Sequence, residues 1–324
     1  MLSKVGFSHL AALGVMTFSM TANTRPVGGA FADTSATTTR LAPLAPGMCE
    51  LPAGWDAVNE LKPEFLIFGE LHGTEQSPAF VGQVVCALAA SGERILLAVE
   101  FDSSLDSQFQ FAWGLPQDQY PEALSKIGWV GRSDGIASQA MFNLLVQLHA
   151  FKSAGAAISI VAFNGAKDSE QQARFSALPG QNPHEAAQAE NIMLAAQADN
   201  YDLTIVLVGN IHAMKQPVQR PETTFEPMAM RLARSGVVVS LDMQSSGGTA
   251  WNCQLKAGYV PHAGKPITDD AISCANYDVR PDGGSERLLP MTIHLNTSEK
   301  LDNIYDGVFS VGNVTGSSPA VPKF

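Results

Sequence analysis

Three stretches of this sequence place acid–base side chains beside glycine at short spacing: Gly69-Glu70-Leu71-His72-Gly73-Thr74-Glu75, Glu100-Phe101-Asp102, and Gly209-Asn210-Ile211-His212. Two of them share a G-x-x-H turn. Histidine is the side chain best suited to take a proton near neutral pH, and a neighbouring carboxylate fixes its tautomer and raises its basicity. A second histidine can meet a developing oxyanion or return the proton to a leaving group. The same set can also hold a divalent cation (Mn, Zn or Co) with positions left open for water. The glycines let the backbone turn sharply and come close to a ligand. The chemistry expected is hydrolysis, with His72, Glu100, His212 and Glu70 as the catalytic set. Water is activated either by His72 or by a metal held by His72, His212 and Glu70.

What must position these residues is a set of buried strands. Phe65–Phe68, Ile95–Val99, Ile158–Phe163, Leu203–Val208 and Val237–Leu241 are continuous apolar runs with helical patterns between them. That alternation predicts an α/β fold, a mostly parallel sheet with helices on both faces. Ligands of such sheets bind beyond the carboxyl ends of the strands. Each motif falls just after a strand, and the third strand end adds Asn164-Gly165 with Lys167 and Asp168 close by. Ser77-Pro78 read as N-cap and first-turn proline of the helix that ends at Ser91-Gly92. Further helical regions are expected at about 105–127, 138–153, 183–196 and 228–233. The Gly-rich loop from Gly128 to Gly135 carries Arg132 and Asp134, which either contact substrate or pair with each other. Asn210 and Glu75 are the other substrate-binding candidates, Glu75 with helix capping or plain solvation as its alternative. After Ser245, short strand-like pieces rich in Gly, Pro and Asp predict an irregular or antiparallel C-terminal extension.

The 324 residues suffice for one large α/β domain with appendages, and the net charge of −11 argues against nucleic acid as a partner. The expected partner is a small-molecule or peptide substrate. Lys4, the apolar segment Val5 to Ala22 and Ala30-Phe31-Ala32 have the layout of a secretory signal peptide, which places the chain in the periplasm or outside the cell. No other stretch is long and apolar enough to span a membrane once that segment is removed. The division expected is a signal peptide at 1–32, an exposed lead-in at 33–55, a core at 56–245 and the extension at 246–324. Four cysteines in an exported chain suggest disulfides, with Cys253 and Cys274 one pair. Cys49 and Cys86 form a second pair, or Cys86 is a buried thiol. His184-Glu185 is not a zincin motif, because Gln188 stands where the second histidine belongs, and it reads as a solvated helix start. There is no G-x-S-x-G elbow, P-loop or dinucleotide fingerprint.

Taken together, Gly69-Glu70-Leu71-His72-Gly73-Thr74, Ala98-Val99-Glu100 and Gly209-Asn210-Ile211-His212 resemble the erythromycin esterase/ChaN-like superfamily, which includes the Tiki and TraB proteins. The resemblance covers about residues 60–245. It implies a choice of activities. Esterase members would give His72 the role of base, oriented by Glu100 and assisted by His212. Tiki-type members imply a metal-dependent protease at the same positions. ChaN-type members imply haem binding and iron uptake, with Tyr120 and Tyr201 as the ligands available. The sequence departs from the group where an Arg-Asp pair is common early in the helix before the fourth strand, since His184-Glu185 stand there.

Overall fold

The computed structural model describes residues 49–220, 223–260, 267–282, 289–296 and 303–321. The expected signal peptide, and the lead-in up to residue 48, lie outside them. In chain order the elements are α1 (Trp55–Glu60), β1 (Phe65–Glu70), α2 (Gln76–Ala90), β2 (Ile95–Asp102), α3 (Asp106–Trp113), α4 (Tyr120–Ser125), α5 (Gln139–Ser153), β3 (Ile158–Asn164), α6 (Ser169–Phe175), α7 (Asn182–Ala196) and β4 (Leu203–Gly209). Then follow α8 (Asn210–Ala213), the short β5 (Val218–Gln219) and β6 (Thr224–Phe225), α9 (Met228–Leu232), β7 (Val238–Leu255), β8 (Ile272–Val279), β9 (Thr292–Leu295) and β10 (Gly307–Val314).

The main sheet has the order β3-β2-β4-β1-β7-β10-β9. Its pairs are parallel as far as β10, after which β9 joins antiparallel. The fold is α/β, a mostly parallel sheet with antiparallel strands near the C-terminus. Strand side chains alternate between faces, which divides the core in two. Leu66 and Phe68 pack with Phe80, Val84 and Leu148 on the α2/α5 side. Phe65 and Ile67 pack with Ile192, Met228 and Leu232 on the α7/α9 side. With both faces covered, every residue of β1 is buried, which is why these strands read as unbroken apolar runs. The chain runs outward from β1 to β2 and β3, then returns to insert β4 between β2 and β1. That insertion brings the carboxyl ends of β2, β4 and β1 side by side, and with them Glu100, Gly209 and Glu70.

Some boundaries differ from the sequence reading. Helix α2 starts at Gln76, so Ser77 and Pro78 lie inside its first turn and Glu75 is the N-cap, without a side-chain bond. Its start is set by the segment after β10: Glu75 N–H donates to Thr315 O (2.9 Å) and Thr315 N–H to Gln76 Oε1 (2.8 Å). The region expected to be helical at 105–127 divides into α3 and α4. Strand β7 does not stop near Ser245 but runs on through Gly247 and Gly248, both at positive φ, to pair antiparallel with β8. The last residues of the expected lead-in are tied down. Cys49 is bonded to Cys86 of α2, and Ala53 exchanges backbone hydrogen bonds with Met291 and Ile293. A second disulfide joins Cys253 of β7 to Cys274 of β8. Among the described residues no helix is long and apolar enough to cross a membrane.

The turn after His72 is the most constrained point of this frame. The carbonyl of Gly73 accepts from both Trp251 N–H and Ser317 N–H, each at 2.8 Å. Gly73 has φ +77°, and a Cβ there would lie 1.9 Å from the Trp251 carbonyl oxygen. Gly73→Ala is therefore expected to cost about 2–3 kcal/mol, from the left-handed backbone and the collision together. Urea titration of the two proteins measures this, and a loss under 1 kcal/mol would show that the turn relaxes freely.

Candidate active site

His72 sits between two buried carboxylates. Its Nδ1 is 2.8 Å from Glu70 Oε1 and its Nε2 is 3.2 Å from Glu100 Oε2. Glu100 Oε2 also accepts from Gly209 N–H (2.7 Å). Position 209 must be glycine for this approach, because a Cβ there would stand 2.9 Å from His72 Nε2. Burial opposes charge on His72, but the attraction and hydrogen bonds of Glu100 and Glu70 outweigh it and push its pKa up to about 10. Burial likewise opposes charge on Glu100. His72, His212 and the Gly209 amide overcome it and hold that carboxyl at about 2. The His72 ring is thus held protonated between Glu100 and Glu70. Glu70 Oε2 is buried and bonded to no described residue, an acceptor left over within the site.

His212 is placed differently. Helix α8 starts directly at the end of β4, and its His212 Nδ1 lies 2.9 Å from both oxygens of Glu185. Glu185, in the first turn of α7, is completely buried and also accepts from Gln181 Nε2 and Met228 N–H, each at 2.9 Å. His212 Nε2 faces Glu100 Oε1 at 3.6 Å, beyond hydrogen-bond length, and the side chain is 16% exposed. Burial and the charge on His72 oppose protonation of His212. Glu185 and Glu100 win, so its pKa lies above the ordinary imidazole value.

His184-Glu185 is thus not a solvated helix start. Glu185 is drawn inward because α9 packs on α7 and Met228 donates to it, and the His184 ring lies 5.8 Å from that of His212. Sequence reasoning missed this because an acid in a helix's first turn is explained by the helix dipole alone. The available signal was the departure from the superfamily pattern at that position. Asp242, level with Gly69 across the β1–β7 pairing, was also missed. Burial and the nearby charge of Asp282 push its carboxyl up to about 7, against hydrogen bonds from Met243 N–H and the Asn210 side chain. Tyr305 donates to the Asn210 carbonyl (2.9 Å).

The structure brings Glu70, His72, Glu100 and His212 together, and the Asn210 side chain bonds to Asp242 instead. Arg132 and Asp134 form a bidentate pair with each other (3.0 Å twice), and Asp134 Oδ1 also accepts from the amides of Ile136 and Ala137. Their loop lies against the Gly73 turn, since a Cβ on Gly135 would meet Gly73 N at 2.7 Å. Trp251 Nε1 donates to Ser133 O (2.8 Å), and the Cys253–Cys274 bridge rests on the same residue. The Glu75 side chain is exposed. Lys215 is paired with Asp306.

The donors as arranged do not fit a divalent ion. Both nitrogens of His72 are engaged by carboxylates, and among the described residues no three such donors converge on one point. Tyr120 does not fit as a haem ligand, being completely buried and stacked on His149 at 3.9 Å. Tyr201 precedes β4, at the opposite edge of the sheet from the histidines.

No protein-family model and no curated protein matches the chain. Solved structures do. The chain is similar to a succinoglycan biosynthesis protein at 12% identity and TM-score 0.53, over 82% of this chain and 92% of that one. It is also similar to an erythromycin esterase mutant in its open conformation, at 10% identity and TM-score 0.47, over 70% of this chain and 79% of that one. ChaN of Campylobacter jejuni, described with cofacial heme binding, matches at 10% identity and TM-score 0.35, over 59% of this chain and 85% of that one. At these identities the likeness is one of fold.

Proposed function

We propose that this chain is an exported hydrolase of an ester, lactone or peptide bond in which His212 is the general base. One observation carries the reading: a completely buried carboxylate, Glu185, grips His212 Nδ1 with both oxygens and leaves Nε2 as the ring's working nitrogen. That is the arrangement in which a carboxylate fixes the tautomer of a histidine and stabilises the imidazolium formed when the base takes a proton. Glu100 Oε1, 3.6 Å from Nε2, adds a second negative charge that stabilises the protonated ring. His72 keeps its own proton up to about 10 and has both nitrogens bonded, so its part is to supply positive charge and anchor Glu100 and Glu70.

In the reaction, His212 Nε2 takes a proton from water as the water oxygen bonds to the acyl carbon and the carbonyl π pair moves onto oxygen. The tetrahedral adduct then collapses. The bond to the leaving oxygen or nitrogen breaks, and that atom takes the proton back from His212. Two disulfides, together with the Lys4 to Ala32 layout, support export.

A panel of aliphatic and aryl esters, lactones and short peptides, assayed for acid release with and without chelator, tests this reading. Turnover of at least one acyl class, unchanged by chelator, is expected. No turnover of any class, with a Soret band appearing on haem titration, would replace it with haem binding.

A further inference from the structure

We propose that His184 is a second catalytic histidine of this site, a neutral imidazole that presents Nδ1–H to the substrate's carbonyl oxygen and stabilises the oxyanion formed on attack. The proposal rests on the hydrolase reading and extends it to a residue at which the chain departs from its superfamily. The starting observation is a chain of side-chain hydrogen bonds. The buried Gln188, one turn along α7, donates from Nε2 to Asn164 Oδ1 (2.8 Å) and to His184 Nε2 (2.9 Å). With the Gln188 amide oriented this way, its Oε1 buried without a partner among the described residues, His184 Nε2 is the acceptor, because an amide N–H has no lone pair to offer. A neutral ring that accepts at Nε2 carries its proton on Nδ1.

The surroundings also oppose a second proton. Burial works against charge on His184 and outweighs the pull of Glu185; a proton on His212 would oppose it further, and Glu100 and Asp102 pull more weakly. The result is an imidazole held below the ordinary value and locked in one tautomer. Nδ1 looks toward the turn at Gly165, where a Cβ would stand only 3.5 Å away. That turn is pinned by Ser103 Oγ and Asn191 Nδ2, both donating to the Gly165 carbonyl at 2.8 Å. No described residue takes up the Nδ1 proton, so it remains available to a ligand.

The pairing with His212 gives the geometry a purpose. The rings lie side by side, 5.8 Å apart and tilted by 46°, and the proposed complex sets the acyl carbon toward His212 Nε2 and the carbonyl oxygen toward His184 Nδ1. A neutral donor suits this position. A second imidazolium beside His212 would lower the basicity of His212, whereas a neutral N–H strengthens its bond as charge develops on the carbonyl oxygen. The substrate class that follows is a neutral carbonyl compound rather than a phosphate ester.

Two measurements test this on the full chain. Two-bond ¹H–¹⁵N correlation spectra of ¹⁵N-histidine-labelled protein at pH 7, assigned with His184→Gln, should show His184 as the Nδ1–H tautomer. An Nε2–H tautomer or an imidazolium overturns the proposal. In kinetics, His184→Ala should lower kcat by about 10²–10³-fold with KM within a few-fold, as for loss of one oxyanion donor. His184→Gln, which restores an N–H, should recover part of kcat. Gln188→Glu, which accepts from Nε2–H and so reverses the tautomer, should fall as far as His184→Ala. If wild type turns over and His184→Ala matches it, this proposal fails and the hydrolase reading stands. If wild type has no turnover, both fail.

Discussion

His212→Asn is expected to lower kcat/KM by about 10³-fold, the typical contribution of a positioned general base. Asparagine is the informative replacement because its amide N–H can still donate to Glu185, so the buried carboxylate keeps a partner and the fold its stability. What is lost is the lone pair on Nε2. Thermal unfolding should stay within a few degrees of wild type while turnover collapses. Retention of more than a tenth of the activity would mean that the proton goes elsewhere, with Glu70 Oε2 the next acceptor in the site.

Glu100→Gln should act on stability as much as on activity. Glu100 accepts from Gly209 N–H and His72 and faces His212, so an amide there leaves His72 with one carboxylate and sets an N–H against donors. Breaking a buried ion pair by removing one partner costs about 3–5 kcal/mol. The displacement of the Glu100 carboxyl from 4.5 to about 2 corresponds to about 3 kcal/mol, in agreement. The signs then set a pH window. Glu100, held low, contributes stability that is present above pH 4.5 and lost as pH falls from 4.5 toward 2. His72, held high, contributes stability present below pH 6.5 and lost as pH rises from 6.5 toward 10. Both shifts describe one pair and are not summed. Urea midpoints measured from pH 3 to 10 should therefore peak between 4.5 and 6.5 in wild type. They should be lower and flatter in Glu100→Gln. A difference under about 1 kcal/mol at the peak would mean that water already screens the pair.

The sheet was legible in the sequence because its strands are buried on both faces. Ile95–Val99 and Leu203–Val208 leave no periodicity to mislead, only length and flanking turns. The edge on which Glu70, Glu100 and Gly209 gather was legible for the same reason, since they lie at the carboxyl ends of strands that the insertion of β4 makes adjacent. Other features were hidden because they depend on contacts between distant segments. Glu185 is an ordinary helix-start acid until Met228 and His212 close over it. Arg132 pairs with Asp134, one of the two alternatives read from the loop, in a segment that Trp251 and the Cys253–Cys274 bridge contact at Ser133. Strand β7 extends well past the apolar run Val237–Leu241 because it bends through Gly247 and Gly248 and pairs with β8, a partner that the local pattern does not reveal.

The pH dependence of kcat/KM for wild type and Glu185→Gln tests most directly whether His212 is the base. In wild type, activity should be lost as pH falls through a value above 6.5, where His212 gains its proton, and again as pH rises through about 10, where His72 loses its proton. Glu185 raises the basicity of His212, so Glu185→Gln should move the acid limb to lower pH and leave the alkaline limb in place. An acid limb that stays where it was in Glu185→Gln would contradict the assignment and move the base to another residue of the site.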